Sequence, residues 1–214
     1  GIDSRKTSFT YNSLGFLETI TDPLSRVTRF NYDTAGRVVE QITPDNRSIA
    51  STYDAKGNPT SVTPPGRPAH IFSYTPVDLT SIYTPPDIGP GSEATINTFN
   101  ADRQLTRVAL PNGQNVEFDF DGSSGRLHNV TIARGQTNYS YVATSGNLAS
   151  VVAPDETQTF TYDGSLPTRT TWTGSVPGEV SRSYDNNFRM TSEVLSGTDT
   201  TSFQYDNDDL LTGA

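Results

Sequence analysis

Few side chains in this chain could carry out chemistry, and their spacing matches no common catalytic or metal-binding pattern. Neither histidine, His70 or His128, has a partner at a metal-ligand spacing. The acidic run 206–209 has some carboxylates of a calcium loop but lacks the glycine at position six and the terminal glutamate, so we interpret it as a turn. Asp119 and Asp121 could in principle act as the two carboxylates of a glycosidase, although nothing in the sequence distinguishes them from the other acidic residues. No G-x-S-x-G motif is present. We therefore expect no catalytic residue, no metal and no cofactor.

The composition excludes further classes of function. The formal net charge is −9, and the 15 basic residues are spread along the chain, which argues against binding to nucleic acid or to an anionic membrane. The absence of cysteine excludes disulfides and thiolate metal sites. No apolar run approaches the roughly 20 residues of a membrane span. Charged residues make up 18%, and the abundance of Thr, Ser, Gly, Asn and Pro predicts an all-β protein.

An aromatic residue recurs at nearly constant spacing along the whole chain. These anchors, as we name them, are Tyr11, Tyr32, Tyr53, Tyr74, Phe99, Phe120, Tyr141, Tyr162, Tyr184 and Tyr205. Successive anchors are 21 residues apart except for one step of 25 and one of 22. The step of 25 contains the Pro/Gly-rich segment 84–92, which we interpret as an enlarged turn. The spacing predicts a tandem array of about ten structural repeats over residues 1–214.

Each anchor is followed by the elements of a β-hairpin. Asp or Asn follows most anchors and can close an Asx turn by accepting hydrogen bonds from backbone N–H groups. A glycine suited to a positive φ then follows, as in Gly36, and a strand, a second turn and a second strand complete the repeat. Other residues stand at the glycine position in five repeats, where we expect other turn types or degenerate copies. These residues are Asp78, Arg103, Leu166, Phe188 and Asp209.

A second aromatic residue stands two positions before the anchor in seven of the ten repeats, as Phe30 does before Tyr32. A spacing of two puts both rings on one face of a strand. We expect this face to be the core, with the rings stacked as a ladder across neighbouring hairpins. The alternative is an exposed aromatic platform that binds sugars.

The block from Tyr32 to Asn46, Y-D-T-A-G-R-V-V-E-Q-I-T-P-D-N, resembles the YD repeat of the Rhs family. That family includes bacterial Rhs polymorphic toxins, wall-associated YD-repeat proteins, the B and C components of insecticidal Tc toxins, and teneurins. The resemblance implies a long curved or spiralling antiparallel sheet that forms part of a hollow shell. Segment 22–25 shares Asp-Pro with the D-P-x-G motif of the family's self-cleaving plug, but its place in the first repeat favours an ordinary turn. No catalytic residue is carried over.

The resemblance leaves two functions open. The first is a structural segment of a secreted or cell-surface bacterial shell that encloses or presents a toxin or other cargo domain. The second is a cell-surface adhesion module that binds a glycan or a protein. We expect the partners to be the remaining repeats and the cargo domain of a longer parent chain. We also expect self-association through unpaired strand edges near residues 7–11 and 203–205.

Overall fold

The computed structural model describes residues 5–87, 89–90 and 93–214, and every regular element within them is a β-strand. No helix in these residues is long and apolar enough to span a membrane. The chain divides into two compact units, Gly1–Gln114 and Asn115–Ala214. Each unit contains five of the ten anchors.

The first unit is a meander in which every strand pairs antiparallel with the next strand along the chain. Its strands are β1 (Ser8–Tyr11), β2 (Leu17–Thr21), β3 (Val27–Tyr32), β4 (Val38–Ile42), β5 (Ser48–Tyr53), β6 (Pro59–Thr63), β7 (His70–Tyr74), β8 (Thr80–Thr84), β9 (Thr95–Phe99) and β10 (Leu105–Ala109). The predicted enlarged turn joins β8 to β9, and its residues 88, 91 and 92 lie outside the described residues.

The second unit repeats this arrangement. Its strands are β11 (Asn115–Phe120), β12 (Leu127–Ile132), β13 (Gly135–Tyr141), β14 (Leu148–Val152), β15 (Thr157–Asp163), β16 (Leu166–Thr173), β17 (Gly178–Tyr184), β18 (Met190–Leu195) and β19 (Asp199–Ser202). A separate two-stranded sheet follows, formed by β20 (Gln204–Tyr205) and β21 (Leu211–Gly213). The predicted fold class, all-β tandem hairpins paired in an antiparallel sheet, is confirmed.

A β-bulge accompanies every anchor. In the second repeat, Asn31 pairs with Glu40 but Tyr32 pairs with Val38, so Val39 is an extra residue opposite the anchor. The register shifts at the anchor in all ten repeats. A bulge bends its strand and increases the local right-handed twist. The same distortion therefore recurs once per repeat.

The two faces of each sheet differ in exposure. In β3, Phe30 and Tyr32 are half-buried whereas Arg29 and Asn31 are exposed, as a spacing of two requires. We call the side with the anchors the aromatic face and the opposite side the polar face. On the polar face, Asn31 donates a 2.7 Å hydrogen bond from its side-chain amide to Glu40 across the strand pair. The predicted placement of both rings on one face is confirmed.

The aromatic face is not the closed core that we expected from the sequence. No described residue is fully buried; nine anchors are half-buried and Tyr11 is 63% exposed. Domains ordinarily bury a sheet face against a second layer. The described residues of each unit supply no such layer, so the anchors are covered only by side chains of neighbouring strands and turns.

Candidate functional site

The residue after the anchor closes the hairpin turn with its side chain. Asp33 Oδ1 accepts hydrogen bonds from the backbone N–H groups of Ala35 (2.9 Å) and Arg37 (3.0 Å), and the N–H of Gly36 donates to the Asp33 carbonyl at 3.1 Å. The predicted Asx turn is confirmed. The same pair of side-chain bonds is formed by Asn12, Asp54, Asn100, Asp185 and Asp206.

These hydrogen bonds favour the ionised form of the turn aspartates. The Arg37 backbone N–H and then its guanidinium hold the pKa of Asp33 below the ordinary 3.8. The Asn58 side-chain amide does the same for the pKa of Asp54. The hydroxyls of Ser123 and Ser124 lower the pKa of Asp121 well below its usual range. The turns that begin with one of these aspartates are therefore built around a carboxylate that carries a charge at neutral pH.

The turn keeps its geometry in most repeats that lack the glycine. Gly36 has φ +81°, and Asp78, Arg103, Phe188 and Asp209 have φ between 63° and 65°. Each of these residues also donates its N–H to the carbonyl of the first turn residue, as the glycine does. Our expectation of other turn types was wrong at these four positions. A left-handed residue other than glycine costs about 1–2 kcal/mol, and the remaining turn bonds evidently outweigh that cost.

Three turns do depart from this geometry. Leu166 follows a two-residue turn in which it pairs directly with Asp163, and the left-handed residue there is Gly164, with φ +59°. Gly125 and Gly146 come one residue later than in the other repeats because their N–H groups bond to the carbonyl four residues back, at 2.8 and 2.7 Å. An inserted residue thus lengthens the turn without removing the left-handed position.

The residue directly after the left-handed position, here called the post-turn residue, covers the anchor of the next repeat where it is Phe16, Arg37, Arg126 or Arg189. The Phe16 ring stacks on Tyr32 with 5.1 Å between ring centroids. The guanidinium carbon of Arg37 lies 4.8 Å from the centroid of the Tyr53 ring, within the range of a cation–π interaction. Arg126 and Arg189 lie over Tyr141 and Tyr205 in the same way, at 5.3 and 4.9 Å.

Arg37 also joins two successive turns through hydrogen bonds. Its Nε donates to Asp33 Oδ2 of its own turn at 2.7 Å, and its Nη1 donates to the carbonyl of Asp54 in the next turn at 2.8 Å. Arg189 similarly contacts Asp185 at 2.8 Å and Asp209 at 2.6 Å. Partly exposed ion pairs contribute little individually. Their effect here is to orient the guanidinium over the neighbouring ring.

The anchor hydroxyl links the same repeats in the opposite direction. The Tyr53 hydroxyl donates to the carbonyl of Val38, which begins the first strand after the preceding anchor, at 2.8 Å. Five other tyrosines make the equivalent bond at 2.7–3.0 Å: Tyr32 to Leu17, Tyr74 to Pro59, Tyr141 to Leu127, Tyr184 to Pro167 and Tyr205 to Met190. Within each unit, these repeats are therefore connected by the anchor hydroxyl, by the post-turn residue or by both.

The expected ladder of stacked anchors is not found among the described residues. Ring-to-ring contacts there join Phe16 with Tyr32, and Tyr83 with both His70 and Phe72, but no anchor with another anchor. The physical reason is distance. Successive anchors are two strands apart, about 9.6 Å at 4.8 Å per strand, whereas stacked rings need about 4.5–7 Å. The side chains of Phe16, Arg37, Arg126 and Arg189 lie in this gap.

The sequence analysis missed the post-turn residue and the carbonyl acceptors of the tyrosines. An available signal was the arginine in Y-D-x-x-G-R, which recurs after the left-handed position as Arg37, Arg126 and Arg189. The acceptors left no signal, because any residue supplies a carbonyl. The role of each arginine depends on which ring lies next to it, and that follows only from the pairing of strands.

The residues considered for chemistry have structural roles. His70 Nδ1 lies 2.8 Å from the Tyr83 hydroxyl, and Asp119 accepts a hydrogen bond from Asn129 at 3.1 Å. Asp206 closes a repeat turn and Asp209 pairs with Arg189, so the acidic run is the turn that its sequence predicted. Among the residues that the structure describes, no group of three or more acidic or histidine side chains is arranged to hold a metal ion.

Comparisons with known proteins identify one family and one fold. A family model described as teneurin YD-shell matches residues 1–213. The structure is similar to "TcdB2-TccC3-TEV" (TM-score 0.73, 12% identity over 99% of this chain) and to "TcdB2-TccC3-Cdc42" (TM-score 0.66, 11% identity over 94%). It is also similar to "TcdB2-TccC3 without hypervariable C-terminal region" (TM-score 0.65, 12% identity over 94%). The chain spans only 13–14% of those chains. No curated protein matches the sequence.

Proposed function

Because the chain belongs to the teneurin YD-shell family and is a structural segment of such a shell, we propose that its parent protein uses the shell to enclose or present a cargo domain. The observation that supports this proposal best is the single layer of each sheet. Half-buried anchors, connected from repeat to repeat and never fully covered, suit the wall of a larger enclosure better than the core of a compact domain.

The length comparison supports a longer parent protein. The chain corresponds to about 13% of the similar TcdB2-TccC3-TEV chain. Another similar structure is that of TcdB2-TccC3 without its hypervariable C-terminal region. We propose that the parent of this chain carries a comparable region as cargo, that its own partners are the neighbouring repeats and that cargo, and that it is secreted or displayed on a bacterial surface. In this proposal the repeats themselves are not enzymatic and need no cofactor.

Protease protection of the full parent protein tests enclosure directly. Trypsin should digest the separately expressed cargo region much faster than the same region within the native parent. Adding urea to the point where the repeats unfold should remove the protection. Equal digestion rates in the native parent and in the separate cargo region would contradict enclosure. A parent protein with no folded domain besides its repeats would contradict both enclosure and presentation.

A further inference from the structure

The only tryptophan of the chain lies beside a cavity that the shell function does not explain. Trp172 stands near the end of β16, where it pairs with Gln158 on β15 and with Gly178 on β17. It shares the aromatic face with Phe160, because its neighbour two positions earlier, Thr170, pairs with that residue. The cavity has a volume of about 470 Å³ and lies within the second unit, between the turn before β15 and the turn after β16.

Two glycines create the shape of this cavity. A Cβ atom at Gly178 would lie 2.6 Å from the Trp172 ring, so the indole packs directly against this backbone. A Cβ atom at Gly174 would lie 2.9 Å from the carbonyl oxygen of Asp155, so the two turns approach each other through backbone. Gly174 also has φ +129°, which side-chain-bearing residues rarely adopt. The two glycines thus allow the indole and the turn that contains Asp155 to pack closely against backbone beside the cavity that both line.

The walls of the cavity are aromatic and acidic. Asp155, Glu156, Gln158 and Trp172 line it, together with small polar residues and Val176, and no basic residue does. Glu156 Oε1 accepts a 2.7 Å hydrogen bond from the Gln158 amide. None of the ion pairs formed within the described residues includes Asp155 or Glu156. Asp155 and Glu156 are exposed residues that line the cavity, and no ion pair within the described residues compensates their charge.

We propose that this cavity binds an organic cation, either an alkylammonium or a guanidinium group, between the Trp172 ring and the carboxylates of Asp155 and Glu156. Among aromatic side chains, an indole attracts cations most strongly. A carboxylate attracts the same cation by Coulomb interaction, so the two contributions add. The same pairing of a cation with a ring already occurs inside the chain, where Arg37 covers Tyr53. The cation comes either from a lysine or arginine side chain of a polypeptide or from a small quaternary ammonium compound.

The chain offers an internal reporter for this proposal, because Trp172 is its single tryptophan. Fluorescence titrations would use N-acetyl-lysine amide, a lysine-rich peptide and tetramethylammonium, with N-acetyl-norleucine amide as the neutral analogue. We expect saturable changes with the cationic probes, weakening as salt is raised. Saturation by tetramethylammonium would show that a small quaternary ammonium suffices, whereas saturation by the lysine probes alone would assign the site to polypeptide side chains.

A pair of charge-matched variants separates the cavity from the general acidity of the chain. D155N/E156Q should weaken cation binding by about fivefold or more, because each exposed charge contributes up to a few-fold. The control E117Q/D119N removes the same charge from strand β11 and should leave binding unchanged. Equal weakening by both variants would overturn the proposal. Equal responses to the lysine and norleucine probes, or saturation by a neutral oligosaccharide such as cellotetraose instead of the cations, would also overturn it.

Discussion

Two glycines in neighbouring repeats allow the cover of the anchors to be tested by adding a single methyl group. Gly36 and Gly57 occupy the same position of the turn, with φ of +81° and +98°. A Cβ atom at Gly36 would lie 2.5 Å from Cζ of the Phe16 ring, which is stacked on Tyr32. A Cβ atom at Gly57 would have its nearest neighbour, Arg37 Nη1, at 3.9 Å. The two substitutions by alanine therefore share the backbone strain but differ in the steric clash.

The expected losses follow from these distances. A left-handed alanine costs about 1–2 kcal/mol, and the smaller conformational freedom of alanine in the unfolded chain returns about 0.4–1 kcal/mol. Gly57→Ala should therefore destabilise by about 1 kcal/mol. Gly36→Ala should lose roughly a further 1–3 kcal/mol, because the Phe16 ring must leave its position on Tyr32.

Urea titrations followed by circular dichroism would measure both free energies of unfolding, provided that the m-values agree. In a Phe16→Ala background the two glycine substitutions should cost the same, because the clashing ring is gone. Equal losses in the wild-type background would refute the placement of Phe16 over Gly36. A difference that persists without the Phe16 ring would refute the steric explanation.

Three further outcomes follow from the turns and their links. Arg103→Gly should be more stable than Arg103→Ala by about 1 kcal/mol in urea titrations, since Arg103 has φ +65° and its side chain is exposed. Tyr53→Phe should destabilise by about 0.5–1.5 kcal/mol in the same assay, through loss of the bond to the Val38 carbonyl. The turn aspartates have pKa values below 3.8 in the folded chain, so the folded state binds fewer protons than the unfolded state. Their stabilisation is present above about pH 4 and is lost as the pH falls through the lowered pKa values, and Asp33→Asn should reduce this acid sensitivity in titrations from about pH 6 to about pH 2.5.

The sequence predicted the fold to the extent that each element depends on local chemistry. The anchor spacing and the alternation of Phe30 and Tyr32 gave the hairpins and the aromatic face, because strand periodicity and turn formation are local properties. The Asx turns were predictable for the same reason. The backbone conformation at the glycine position was less predictable. Arg103 and Phe188 adopt the left-handed conformation that their residue types disfavour, because the surrounding hydrogen bonds enforce it.

The links between repeats could not be derived from the sequence in the same way. Arg37 lies over Tyr53 only because a bulge and two strand pairings bring the turn of one repeat beside the anchor of the next. The bulge at each anchor has no residue signature of its own. The burial of the anchors was also overestimated. The alternation of aromatic residues shows which residues lie on the same face of a strand, but it does not show whether a second layer covers that face.

The central claim is that a post-turn Phe or Arg that lies on the next anchor holds two successive repeats together. A double-mutant cycle on Arg37 and Tyr53 tests this claim most directly. Arg37→Met, Tyr53→Leu and the double variant would be compared by urea titration. Arg37 and Tyr74 serve as the control pair, because the contacts described for the Arg37 guanidinium are with Tyr53 and with the turns of Asp33 and Asp54. We predict a favourable coupling energy of about 0.5–1 kcal/mol for Arg37 with Tyr53 and about zero for the control pair. A coupling energy for Arg37 and Tyr53 no larger than that of the control would contradict the claim.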